Sequence, residues 1–109
     1  MKHCESSDPV NVTLGVMGGK WKPLLLWLLT DKPLRFSKLE ELMPGITQKM
    51  LTQQLRDLES HKLITRKVYP VVPPKVEYFI SAYGLTLSPV LEAMAKWGET
   101  HRKLNTLVE

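Results

Sequence analysis

Only one cysteine, Cys4, stands among the 109 residues, so no disulfide can form within the chain and any bridge must reach a second molecule. No run of about 18 apolar residues occurs, which leaves no candidate membrane span, and the opening MKHCESSD lacks the apolar stretch of a secretion signal. The expected address is the cytoplasm, away from any membrane. The histidines, His3, His61 and His101, are scattered, and no two potential ligands have metal-site spacing beyond the adjacent His3 and Cys4. No metal and no cofactor is expected. A Gly-rich phosphate loop is missing too, and no fixed base accompanies Cys4, so the chain offers no catalytic constellation.

Hydrophobic residues make up 43% of the chain, enough for one core at this length and too little for two domains. Residues 1–8 read as a flexible tail and 9–109 as a single domain. The net charge of +4 is unevenly spread: Lys20 to Lys75 carries a local +6, and the remainder a local −2. A basic middle between neutral or acidic ends suits a domain whose centre meets a polyanion.

Asp8 followed by Pro9 predicts a helix start, running to about Met17 with Val10, Leu14 and Met17 on one face before Gly18-Gly19 breaks it. In GGKWKPLLLWLL, Pro23 fits only a first helical turn, and Leu24 to Leu29 is apolar on every side, as in central core. Gly18 to Lys22 offers either a plain turn or an anion cradle using Lys20 or Lys22. Leu34, Arg35 and Phe36 read as a short extended piece, and Ser37 with Glu40 as a capping box for a helix carrying Leu39 and Leu42. Pro44-Gly45 ends that helix, and Thr47 caps the next.

That next stretch, TQKMLTQQLRDLES from Thr47 to Ser60, has two faces at 100° per residue. Leu51, Leu55 and Leu58 fall on one side; Lys49, Gln53, Arg56 and Ser60 fall on the other, with Thr52 beside them. Such outward donors reach base edges in a major groove, Arg and Lys towards guanine, Gln towards adenine, Thr towards a thymine methyl. Gln48, Lys49, Thr52, Gln53 and Arg56 are the candidate base-reading residues. The competing reading is a solvated helix face. What decides between them is the preceding helix joined by a tight turn, the spacing of a helix-turn-helix.

Ile64 to Tyr69 is rich in β-branched and aromatic residues, and Val76, Tyr78 and Ile80 alternate with Glu77 and Phe79, giving a hairpin stiffened at its tip by Pro70, Pro73 and Pro74. A basic hairpin after a helix-turn-helix is a winged helix, with Arg66, Lys67 and Lys75 available to phosphates or a minor groove. The fold class is mainly α with a small β-hairpin. Lys20, Lys22 and Arg35 complete the candidate backbone contacts. Ser81 opens a last long helix to about Leu104, with Pro89 as a potential kink. Val10 and Leu14 on the first helix, with Leu87, Leu91, Met94 and Trp97 on the last, form the expected dimer interface.

Cys4, TLGVMGGKWKPLLL, RFSKLEELMPGITQKMLTQQLRDLE, LITRKVYPVVPPKVEYFIS, YGLTLSPVL and KWG together resemble the HxlR-type winged-helix transcriptional regulators over roughly residues 4 to 98. The resemblance implies a dimeric bacterial regulator, related in fold to the MarR group, that binds double-stranded DNA at a near-palindromic operator in the nucleoid. It also implies that Cys4 is a candidate sensor of a small electrophile or oxidant, as in several members. Lys62 departs from the pattern, since the family usually has Gly there, and Pro23 is less usual. The rival reading is a winged-helix module that binds protein without specific DNA recognition. The outward Lys49, Gln53 and Arg56 oppose it, because a protein-binding face should carry more exposed apolar residues.

Overall fold

The computed structural model describes residues 8–108; the tail ahead of Asp8, with Cys4, lies outside them. Helix α1, Pro9–Met17, begins where the Asp8 carboxylate accepts the Val10 amide at 2.9 Å. It ends at Gly18, whose N–H donates to the Leu14 carbonyl at 2.7 Å. A Cβ at Gly18 would stand 2.3 Å from that oxygen, so no larger residue permits this approach.

Helix α2, Lys22–Asp31, has Pro23 in its first turn and buries Leu25, Leu26 and Leu29. It is not buried all round, as its uniformly apolar sequence suggested: Leu24 and Leu28 are only partly covered and Trp27 is 40% exposed. Strand β1, Leu34–Arg35, follows, and helix α3, Phe36–Leu42, starts two residues earlier than a capping box on Ser37 would require. Arg35 occupies the N-cap in extended geometry without a side-chain cap, because its backbone is held by pairing with a later strand. Leu39 is fully buried, whereas Leu42 is 39% exposed.

Gly45, at φ +94°, makes the turn into helix α4, Gln48–Ser60. There the Thr47 hydroxyl accepts the Met50 amide at 3.1 Å, as its place in the sequence predicts. The far end of α4 is closed by two bonds, Lys62 N–H to the Glu59 carbonyl at 2.9 Å and Leu63 N–H to the Leu58 carbonyl at 3.0 Å. This is a Schellman closure, and its left-handed residue is Lys62 at φ 64°. Leu58 and Leu63 are both buried, which supplies the apolar contact that accompanies such an end.

Strands β2, Ile64–Tyr69, and β3, Lys75–Ile80, form the predicted antiparallel hairpin. The sheet has three strands in the order β1-β3-β2, with Leu34 opposite Tyr78 and Arg35 opposite Glu77. Leu34, Ile64 and Tyr78 face the core; Arg35, Lys67 and Glu77 form a cross-strand row on the other face.

The single kinked helix expected after Ser81 is two helices. Ser81 Oγ accepts the Gly84 amide at 2.9 Å and caps the one-turn α5, Ala82–Leu85; α6 then runs Ser88–Val108. Pro89 lies in the first turn of α6, where the missing N–H costs no helical bond. Gly84 sits so close to β2 that a Cβ would stand 2.2 Å from the Leu63 carbonyl oxygen. The core is one cluster fed by every helix except α5, and among the described residues no polar or charged side chain is buried in it. Leu91 is 3% exposed and Leu87 packs partly against the same cluster. Leu91 therefore belongs to the core of this chain rather than to a surface open to a second copy, whereas Leu87 is only partly covered. From Glu92 to Thr106, α6 is exposed throughout.

Candidate nucleic-acid interface

Burial on α4 follows its two sequence faces. Leu51, Leu55 and Leu58 are at most 1% exposed, while Gln48, Lys49, Gln53, Arg56 and Ser60 lie open and Thr52 is half-buried at the margin. The acidic residues of this helix are both engaged. Asp57 pairs with Lys22 of α2, and Glu59 Oε2 lies 3.7 Å from Arg66 Nε of β2. The hydrogen bond from Lys22 holds the Asp57 carboxyl below its ordinary range. Among the described residues, no ion pair engages Lys49 or Arg56. The outward surface of α4 thus keeps its positive charge while its negative charge is neutralised from behind.

The wing candidates divide by strand face. Lys67 and Lys75 place their ammonium groups 4.9 and 4.7 Å from the centroid of the Tyr69 ring, attracted by the negative face of the π-system. The Tyr69 hydroxyl donates to Glu77 Oε1 at 2.8 Å, and that bond raises the phenol above its usual range by holding the proton. Glu77 Oε2 is also 4.0 Å from Lys75 Nζ. Arg35 joins this outer face through its register opposite Glu77. Arg66 is on the other face, opposite Tyr78, where it meets Glu59 rather than open solvent alone. Burial raises the Tyr78 phenol.

Two further candidates separate clearly. Lys20 is exposed, its Nζ 4.8 Å from the centroid of the Trp21 ring. Lys22 points inward with 14% of its side chain exposed and is committed to Asp57; this leaves no ammonium free for a phosphate. Tyr69 and Glu77, which organise the two wing lysines, were missed from sequence. Their signal was the i, i+2 placement of Lys67 and Tyr69 on one strand opposite Lys75 and Glu77. On α1 and α6, Val10, Leu14, Met94 and Trp97 are 67%, 55%, 47% and 68% exposed.

Helix, turn, outward-facing helix and basic hairpin on one core define a winged helix-turn-helix protein. The profile of the family described as HxlR-like helix-turn-helix matches residues 16–106, and the chain belongs to that family of transcriptional regulators, not of enzymes. It is 51% identical over 94 residues to the HTH-type transcriptional regulator YdeP of Bacillus subtilis (strain 168), covering 86% of this chain and 73% of that protein. Among solved structures, the HTH-type transcriptional regulator ytcD superposes with a TM-score of 0.84 at 52% identity, covering 88% of this chain and 98% of that one. The redox regulator HypR in its reduced form superposes at 0.85 with 45% identity, covering 91% and 98%. No described helix is long and apolar enough to cross a membrane.

Proposed function

We propose that the chain acts as a homodimer that binds a near-palindromic duplex operator, with α4 of each copy in a major groove and the β2–β3 wing on the flanking backbone. The observation that carries this reading is the charge arrangement of α4: Asp57 and Glu59 are bound by Lys22 and Arg66, while Lys49, Gln53 and Arg56 face outward. A helix exposing donors and masking its carboxylates suits an acceptor-rich groove and repels no phosphate. Gln48 and Thr52 complete the base-reading set. Lys20, Arg35, Lys67 and Lys75 supply backbone contacts, with Arg66 positioning the wing on α4; Lys22 has no such part.

Dimerisation is supported by the apolar residues left open on α1 and α6, Val10, Leu14, Met94 and Trp97, on a domain whose core is already closed. A two-fold axis through them relates two reading helices, so half-site centres are expected about one helical turn, or a multiple, apart. Cys4 is proposed to carry a response to an electrophile or oxidant, a reading supported by the likeness to the redox regulator HypR. With no second cysteine, modification means a bridge to the partner subunit, a mixed disulfide or alkylation. The test is operator affinity of wild type and Cys4→Ser before and after diamide or quinone. Wild type alone should change, and unchanged affinity after modification shown by mass removes the sensor role.

A further inference from the structure

A cleft of about 600 Å³ opens between the C-terminal turn of α2, helix α3 and the first turns of α6. Its apolar wall includes Trp27, 40% exposed, and Leu42, 39% exposed. Such a volume is in the range of small-molecule sites, and an open indole supplies a flat surface for a ring.

The electrostatics of the cleft are one-sided. Leu28, Thr30 and Asp31 of its lining form the last turn of α2, a ten-residue helix with no basic residue in that turn. Asp31 reinforces the negative end of the helix dipole, and Lys32, the C-cap residue, opposes it. Glu92 adds a second carboxylate from α6. Among the described residues neither acid is in an ion pair. Of the two lysines on the rim, Lys38 is paired to Glu41 at 3.2 Å, and Lys32 alone opposes them. The balance is one net negative charge plus a helix C-terminus, beside an aromatic face.

We propose that this cleft binds a lipophilic aromatic cation, its ring on Trp27 and its positive charge between Asp31, Glu92 and the end of α2. Cation–π attraction and the two carboxylates act in the same direction, and an anion of the same shape meets repulsion. An occupant would touch α3 of the reading head and α6 at once, fixing one against the other.

The probe is rhodamine 6G, titrated into the purified full chain without DNA and followed by anisotropy, with fluorescein as the anionic counterpart. Rhodamine 6G should bind more tightly than fluorescein. Glu92→Gln and Asp31→Asn should each weaken it roughly 2- to 5-fold, and Trp27→Leu by about tenfold or more. Lys32→Gln should tighten it, and Leu104→Ala, on the exposed part of α6, should leave it unchanged. Equal binding of the anion, or the same affinity in the Glu92, Asp31 and Trp27 variants with native circular dichroism, overturns the proposal; so does loss of binding in Leu104→Ala. Because no DNA is present, the outcome is independent of the operator reading.

Discussion

Lys22 of α2 hydrogen-bonds the carboxylate of Asp57 on α4, joining residues 35 apart in sequence. The ammonium is mostly buried and the carboxylate is 43% exposed, so the pair anchors the back of the outward helix from a site partly shielded from solvent. Breaking it should be felt twice, in stability and in the charge presented beside the outward face of α4.

The Asp57 carboxyl titrates below its ordinary value because of that bond. A depressed carboxylate contributes stability above its unfolded pKa of about 3.9, and this is lost as pH falls through the lower folded value. Urea melts of wild type and Asp57→Asn should therefore differ at neutral pH by on the order of 1 kcal/mol, discounted for exposure, and the difference should shrink as pH falls below about 4. A difference that stays constant through that range would mean that the side chain acts through packing instead.

Lys62 holds a left-handed conformation at φ 64° as the closing residue of α4. Relieving it with Lys62→Gly should raise stability by about 0.5 to 1 kcal/mol. A lowered melting temperature would show that the lysine makes a contribution larger than its backbone strain.

Gly84→Ala would put a methyl group 2.2 Å from the Leu63 carbonyl oxygen. The chain must then separate α5 from the root of the wing, at a cost of roughly 1 to 3 kcal/mol. Thermal melts check this, and Gly15→Ala, where no atom lies within 4 Å, is the control expected to be neutral or stabilising.

On the wing, Lys67→Ala and Lys75→Ala should weaken operator and random duplex alike, each reducing the salt slope of binding by about one phosphate contact. Arg66→Ala should do less, because its guanidinium already faces Glu59. A base-specific loss in either lysine variant would place the wing in a groove.

Much of this architecture was legible where the chemistry is local. Asp8-Pro9, Thr47 and Pro44-Gly45 mark helix ends through groups within a few residues, and the leucines of α4 fix its inner face by period alone. The misreadings are non-local. Ser37 and Glu40 have the spacing of a capping box, yet Arg35, in the extended piece that the sequence does show, pairs with β3 more than forty positions away and takes the N-cap instead. Leu91 has the same sequence signature as Met94, and only the packing of α6 on α2 sends one inward and leaves the other open. Lys22 read as a free cation because Asp57 is invisible to any local window.

The proposed base-reading face of α4 is the one whose neighbouring acids, Asp57 and Glu59, are occupied by Lys22 and Arg66. Its most direct test is fluorescence anisotropy of wild type, Gln53→Ala and Arg56→Ala on the operator found by footprinting upstream of the protein's own gene and on a scrambled duplex, across a salt series. The expected result is a loss of about 1 to 3 kcal/mol on the operator with little change on the scrambled duplex. Equal losses on both duplexes, or none on either, would contradict it.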